Sequence, residues 1–467
     1  MKYKDRVELD KEYGLFKFKI PTREEREEAL GLTGETIMFK KLISSGINQF
    51  YTPISAPNKE NNSWLLSHKE FGQTYTEFMR TNAYYQIKTN ANIIYLVNLI
   101  FYSEEDRENE KKYEEEKEKN PEVVKPTPKY MFKEQKDKIF NDLLIQFCEA
   151  YFNDMTIKIE EKEVPIEKIV IRKNPDNDEV IGIQSESLLN CINLRKTKQY
   201  CSIYFTTIGL FHNVSSYKEG KVNKYQYYPS NFLNNDTCYE MTNIKNRICL
   251  ISFNEFCPPI IKKENNTEEE KEILIKAFSY KACIKLILRN ISLMFGVSNC
   301  IYYSCLLNGN GSLNEFHSHP VELCPICLRK IYRVLLKAGE NVNDGKNIRN
   351  KMQLYNRFKK LYDILNAIKE ESSEKKEQPK ENILSNIQKA VNKEANQMNK
   401  NILSNVNSII KSNINKTEEI IIQREKEDKE KEKKKMYKQI YKVFEGEFKW
   451  YEKRINYLNT LGNFKDN

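Results

Sequence analysis

Four of the chain's eleven cysteines fall into two close pairs. Cys300 and Cys305 have four residues between them, eighteen more follow, and Cys324-Pro325-Ile326-Cys327 closes the set. Two pairs at this distance are the layout of a tetrahedral thiolate zinc site. Four soft sulfur ligands satisfy the ion and leave no open coordination position, so the chemistry implied is structural rather than catalytic. Free core cysteines are the competing reading, since cysteine is common in interiors; four at this spacing favour the metal. Gly309 and Gly311 should let the chain turn back so that both pairs meet at one ion. The tract Leu328-Arg329-Lys330-Ile331-Tyr332 reads as a helix whose amides would donate to the sulfurs and offset the charge of a zinc tetrathiolate.

Other chemistry-bearing residues are sparse. The chain has four histidines, His68, His212, His317 and His319. His317 and His319, one residue apart on a loop, are candidates for a non-standard hydrolytic zinc site, against the reading that they are exposed loop residues; no glutamate lies in a matching helical register. Lysine and arginine number 76 against 66 acidic residues, a net charge of +10. Most of that charge lies in runs of mixed sign, and no basic stripe interleaved with aromatics is present. Around the cysteines, Lys330 and Arg333 are offset by Glu315 and Glu322, so a nucleic-acid-binding zinc module is not expected.

The elements that must position the cysteines belong to an α/β pattern. Short segments rich in β-branched and aromatic residues predict strands over 93–101, 155–160, 168–172, 180–184 and 200–207. The apolar run 93–102 is about ten residues, too short to span a bilayer, and reads as a buried strand. Phe140, Leu144, Phe147 and Tyr151 recur on one side of a helix over 139–152. A longer helix over 270–295, with Ala277, Ile284, Leu288 and Ile291 near the 3.6 period, is stopped by Gly296 and leads into the cysteine cluster. Residues 104–129, a glutamate and lysine run ending in prolines, are expected to be a disordered insertion loop. Residues 369–435, rich in lysine, asparagine and glutamate, are expected to be a low-complexity insert with weak helicity; the pentad Asn-Ile-Leu-Ser-Asn occurs there at Asn382 and Asn401. The charged opening residues carry no apolar signal core, so reduced thiols in the cytoplasm or nucleus are expected.

The tract Cys305-Leu306-Leu307-Asn308-Gly309, with Ser312-Leu313, Glu315 and then Cys324-Pro325-Ile326-Cys327-Leu328-Arg329-Lys330, closely resembles the archaemetzincin family of zinc metalloproteases. Ser63-Trp64-Leu65-Leu66-Ser67-His68, Phe147 to Phe152, Cys201 to Leu210 and Glu447-Phe448-Lys449-Trp450 resemble further tracts of its animal-type members, in the same order. The resemblance implies a metzincin-like α/β fold, a mixed twisted sheet with packed helices and a zinc-stapled C-terminal lobe holding one structural ion. It also implies a division into an N-terminal extension (1–62), an archaemetzincin-like domain (63–368), the low-complexity insert (369–435) and a C-terminal helix (436–462).

The family carries His-Glu-x-x-His-x-x-Gly-x-x-His directly before the first of the four cysteines. Three imidazoles hold the catalytic zinc, and the glutamate takes a proton from its water. Counting back from Cys300 places Arg289 where the first histidine would stand, Asn290 at the glutamate, Leu293 at the second histidine and Asn299 at the third, and only Gly296 remains. Arginine repels a cation, leucine has no lone pair, and asparagine is no general base. Arg289 could pair with a carboxylate in the former cleft or snorkel to the surface as an ordinary arginine. Where the family has a methionine two residues after the second cysteine, this chain has Leu307, a change packing should tolerate. The expectation is a pseudoprotease that binds a peptide or protein partner, with an active metallopeptidase of non-standard site as the alternative. The partner and the oligomeric state are unspecified.

Overall fold

The computed structural model describes residues 7–10, 15–35, 37–57, 63–81, 91–120, 138–153, 155–173, 180–192, 198–211, 228–229, 232–234, 237–244, 246–254, 268–338, 346–373 and 402–461. Two compact units emerge: residues 1–260, 278–364 and 446–467, and a smaller one of 261–277 and 365–445. Residues 21–57 contribute to the core of the first unit: Leu30, Leu42, Ile43 and Tyr51 are buried.

The first unit opens with the hairpin β1 (Val7–Asp10) and β2 (Leu15–Phe18) and the short helices α1 (Arg23–Leu30), α2 (Ile37–Ser44), α3 (Ile47–Phe50), α4 (Trp64–Ser67) and α5 (Tyr75–Thr81). Then come β3 (Ile93–Tyr102), α6 (Glu104–Lys119), α7 (Lys138–Tyr151), β4 (Thr156–Pro165), β5 (Ile171–Lys173), β6 (Val180–Gln184), α8 (Ser185–Ile192), β7 (Gln199–Thr206) and β8 (Gly209–Phe211). The strands β9 (Tyr228–Pro229), β10 (Phe232–Asn234), β11 (Thr237–Cys238), β12 (Glu240–Asn243) and β13 (Ile248–Ser252) complete the sheets. The main sheet has the order β4-β3-β7-β13-β12-β9; its first four strands run parallel, and β12 and β9 are antiparallel additions. A second sheet has the order β10-β11-β8-β6-β5. The expected mixed α/β architecture is therefore present. β3 is apolar and buried along nearly its whole length, as a parallel strand covered on both faces requires.

The helix α9 (Glu268–Met294) spans the predicted 270–295 segment. Residues 282–295 are buried on every side, so its polar side chains in that stretch must find partners inside the protein. Gly296 ends it at φ +84°, a left-handed conformation that glycine adopts without a Cβ clash. Beyond it lie α10 (Leu313–Ser318), α11 (Pro325–Ala338), α12 (Lys346–Ser372) and α13 (Ile402–Thr460).

Two expectations about low-complexity sequence are corrected. Residues 104–119 form α6 rather than a disordered loop, because Ser103 and Asp106 make a reciprocal capping box and three acids occupy the first turn. Glu108 with Lys112 and Glu115 with Lys119 stand at the favourable i,i+4 spacing. The remainder of the expected loop, 121–129, lies outside the described residues, as does 374–401 of the second insert. From Ile402 to Thr460 the second insert and the C-terminal segment form one helix.

Buried arginines tie distant parts of the first unit together by capping helix ends. Arg454 donates to the carbonyls of Ser45 (2.6 Å) and Leu42 (2.7 Å) at the end of α2, and the Trp450 indole donates to Phe50 O at 2.9 Å. Arg329 donates to Leu30 O at the end of α1 and pairs with Glu35 at 2.6 Å. Each satisfies carbonyls that a helix C-terminus leaves free.

Candidate metal centre

The loop after Gly296 brings all four predicted cysteines together. The Sγ atoms of Cys300, Cys305, Cys324 and Cys327 lie within 4.8 Å of one another and are buried; Cys300 and Cys324 approach to 3.6 Å. A tetrahedral ion with metal–sulfur bonds of about 2.3 Å needs sulfur–sulfur edges of about 3.8 Å. The cluster therefore has the dimensions to coordinate a metal ion, and none of these cysteines is in a disulfide.

The local fold is organised by Asn308. Its Oδ1 accepts from Cys305 N at 2.7 Å, and its Nδ2 donates to the carbonyls of Cys300 (2.8 Å) and Tyr303 (3.0 Å). Cys300 N donates to Leu307 O at 2.8 Å, which closes the first knuckle, and Leu307 is fully buried where the family has methionine. Cys305 Sγ accepts from Leu307 N at 3.5 Å and Cys324 N at 3.3 Å. These amides supply part of the charge compensation that a cluster of thiolates requires. They come from the loop, not from residues 328–332 as expected; Leu328 N is committed to Cys324 O within the first turn of α11.

Gly309 has a different reason from the expected turn. A Cβ there would stand 2.1 Å from the Trp64 ring, so glycine is required by close approach of an indole. Trp64 in turn stacks on His68 with centroids 3.3 Å apart. Glu315 fastens this wall: its carboxylate accepts from Ser63 Oγ (2.7 Å), Trp64 N (2.9 Å) and Gly311 N (2.6 Å). On the other side, Leu306 N donates to Glu322 O at 3.0 Å, and the Glu322 carboxylate accepts from Arg357 (2.9 Å) and Tyr451 (2.5 Å). Tyr151, at the end of α7, donates to Val321 O. The tracts around 63–68, 147–152 and 447–450 thus converge on one cysteine loop.

Three of the positions aligned with the family's hydrolytic motif, Arg289, Asn290 and Asn299, belong to a polar network with Glu240, Glu70 and Thr242. Arg289 is 1% exposed, so the surface placement considered for it is excluded. Its Nη1 lies 4.0 Å from Glu240 Oε1, and its Nη2 donates to Asn299 Oδ1 at 2.8 Å. Asn299 Nδ2 donates to Glu70 Oε1 at 2.7 Å, which also accepts from the Trp64 indole at 2.8 Å. Asn290 Nδ2 donates to Glu240 Oε2 (2.5 Å) and Leu286 O (2.9 Å), and Thr242 Oγ1 donates to Asn290 Oδ1 at 2.8 Å. Leu293 is buried beside them. Burial pushes the carboxyls of Glu240 and Glu70 above the usual range, and Arg289 opposes that shift in both. A guanidinium beside the Glu240 carboxyl, linked to Glu70 through Asn299, therefore stands where the family would place imidazoles and an ion.

His317 and His319 join no group of three or more metal-competent side chains among the described residues. Burial, with Lys285 nearby, holds His317 down to about 4 and His319 down to about 3, and the four cysteines are the only metal-competent cluster among the described residues. They are partly buried rather than exposed loop residues. Lys285 Nζ, itself lowered to about 7 by burial, donates to the carbonyls of Phe316 (2.7 Å) and His319 (2.6 Å), capping α10. His212 lies outside the described residues. Lys330 is buried and donates to Gln73, so it offers no basic surface beside the cluster.

Sequence reasoning did not anticipate Glu240, Glu70, Asn308 or Lys285. The polar pattern 282–295 held a signal for Lys285: a cation in a helix otherwise buried all round needs an internal acceptor.

Fold and site together define a mixed α/β protein with a buried four-cysteine cluster able to hold a metal, and with none of the usual hydrolytic ligands on the helix before it. Comparison with known proteins finds similarity to archaemetzincins over part of the chain. Archaemetzincin-1 of Mus musculus is 34% identical over 68 residues, 15% of this chain and 14% of its own length. Archaemetzincin-2 of Homo sapiens is 25% identical over 199 residues, 40% of this chain and 52% of its own length. Over these stretches the chain is similar to archaemetzincins, and it carries a four-cysteine cluster able to hold a metal ion while having no histidine at positions 289, 293 and 299. It spans between about a seventh and about half of the curated relatives it matches. The crystal structure of an archaemetzincin from Methanopyrus kandleri aligns with a TM-score of 0.33 at 12% identity, over 53% of this chain and 96% of that one. No protein-family model matches the chain. No helix among the described residues is long and apolar enough to cross a membrane.

Proposed function

We propose that this chain is a pseudoprotease: a metzincin-related scaffold that holds one structural zinc through Cys300, Cys305, Cys324 and Cys327 and binds a peptide or protein partner without cleaving it. The observation that carries the reading is the buried Arg289 guanidinium between Glu240 and Asn299, a fixed positive charge in the place of a catalytic cation. Zinc is the choice among metals because four thiolates in a closed tetrahedron suit it and leave no position for water. When bound, the ion would staple the loop 300–327 and perform no reaction. Around it, Asn308 fixes the knuckle and the amides of Leu307 and Cys324 offset thiolate charge.

The binding half of the proposal is supported by a cavity of about 430 Å³ beside the cluster, walled by Thr52, Pro53, Ser63, Leu65 and His319 among others. Its size is in the range of ligand sites. The archaemetzincin-like part is taken as 63–368, and a reducing compartment, cytoplasm or nucleus, suits four free thiols.

Elemental analysis of the purified chain beside a Cys324→Ala, Cys327→Ala variant, with a peptidase assay on a mixed peptide library, tests this. About one zinc per chain, lost in the variant, with no cleavage, is expected. Two ions per chain with chelator-sensitive cleavage would overturn it in favour of a non-standard metallopeptidase.

A further inference from the structure

The four thiols are not equivalent, and the cavity beside them distinguishes one. Of the cluster's cysteines, Cys300 alone lines the cavity. It retains 3% exposure, whereas Cys305, Cys324 and Cys327 retain 0%, 0% and 1%. Hydrogen bonding separates Cys300 from Cys305: Cys305 Sγ accepts two backbone N–H groups, which draw electron density from the sulfur, while Cys300 Sγ donates to the Tyr303 carbonyl and lies against Cys324 Sγ. Cys300 is thus the cluster cysteine on the cavity wall, and its neighbour Cys324 lies 3.6 Å away.

We propose that Cys300 and Cys324 are a redox-modification site, reached through the cavity, at which low-molecular-weight disulfides act and metal is released. The proposal rests on the four-cysteine zinc reading. The Cys300 thiolate attacks one sulfur of the small disulfide RSSR, forming a mixed disulfide and expelling one RS⁻. The Cys324 thiolate then attacks Cys300 Sγ, forming the Cys300–Cys324 disulfide and expelling the second RS⁻. Two electrons pass from the protein thiolates to the disulfide reagent, and only Cys305 and Cys327 would remain to hold a metal ion, which would weaken its binding without any change of its oxidation state. The cavity sets the order of reaction because exchange needs the attacking sulfur to be accessible.

The order is readable by mass spectrometry. Cleavage after Glu315 and Glu322 puts Cys300 and Cys305 on one peptide and Cys324 and Cys327 on another. The native chain is treated with 2-hydroxyethyl disulfide while an indicator dye follows zinc. The expected result is a mixed disulfide first at Cys300, then a cross-link joining the two peptides through Cys300 and Cys324, in step with zinc release. Because Cys300→Ser may not fold, a second variant narrows the cavity from its exposed rim: Ala56→Trp should slow modification of Cys300 by at least about fivefold. The exposed control Ile37→Trp should leave the rate unchanged. A first product at Cys324 or Cys327, simultaneous loss of all four thiols, or an Ala56→Trp rate equal to that of the control overturns the proposal. The starting zinc content is measured separately: a chain without zinc refutes the metal reading, while the order of thiol modification still decides this one.

Discussion

Replacing Arg289 with alanine is the most direct perturbation of the filled motif. Arg289 and Glu240 are 1% and 0% exposed and stand 4.0 Å apart. At an effective dielectric of about 20, unit charges at that distance attract by about 4 kcal/mol. Removal also strands a fully buried carboxylate whose remaining partner is the Asn290 amide and deprives Asn299 of a donor. Breaking one side of a buried pair costs about 3–5 kcal/mol, which in a domain of this size corresponds to a fall in Tm of roughly 5–10 °C. The pH dependence has a definite sign. Burial raises Glu240 in the folded state, so the protonated form is favoured there, and stability from that preference is present at low pH and lost as pH rises through the folded value. Without the arginine the carboxyl shifts further upward, so the deficit of Arg289→Ala against wild type should be small in acid and widen towards neutral pH. Calorimetry between pH 4 and 8 checks both statements, and Arg289→Met combined with Glu240→Gln should recover much of the loss. A Tm change under about 1 °C, flat with pH, would refute the description of a buried charge standing in for a cation.

Further expectations concern the surrounding wall. Gly309→Ala drives a Cβ into the Trp64 ring and should cost about 1–3 kcal/mol, with a shift in indole fluorescence, because Trp64 must move off His68 or Glu70. His317 and His319, depressed to about 4 and about 3, should show no imidazole titration by NMR above pH 5; their neutral folded forms contribute stability that is full above 6.5 and lost as pH falls towards those values. Lys285→Met removes both donors capping α10 and should raise hydrogen exchange across 313–319 while leaving β3 protected. Ser103→Ala should cost about 1 kcal/mol and raise exchange over 104–119, where a disordered loop would show no change.

What could be read from the sequence was local. The cysteine pairs announce themselves by spacing, and Gly296 fixes the register that places Arg289, Asn290, Leu293 and Asn299 in the motif positions. The helix of 268–294 and the strand of 93–102 were visible through periodicity and an unbroken apolar run. What replaced the lost ligands was not visible, because Glu240 and Glu70 reach Arg289 and Asn299 from separations of 49 and 229 residues with no motif to mark them. Composition misled at 104–119: lysine and glutamate suggested disorder, but their order along the helix, with a capping pair at Ser103 and Asp106, outweighed the lack of apolar surface. Gly309 was noticed for the right atom count and the wrong cause, since what it admits is an indole from 245 residues upstream.

The arginine and tryptophan contacts from α13 to α2 and α3 impose a sequence in time. The acceptors at Leu42, Ser45 and Phe50 leave the ribosome 400 to 412 residues before their donors at Trp450 and Arg454. At about 5–20 residues per second, the opening helices wait some tens of seconds for the groups that close their ends. Until then their carbonyls are served by water or by a chaperone, and the ends of α2 and α3 are closed only once α13 has been made.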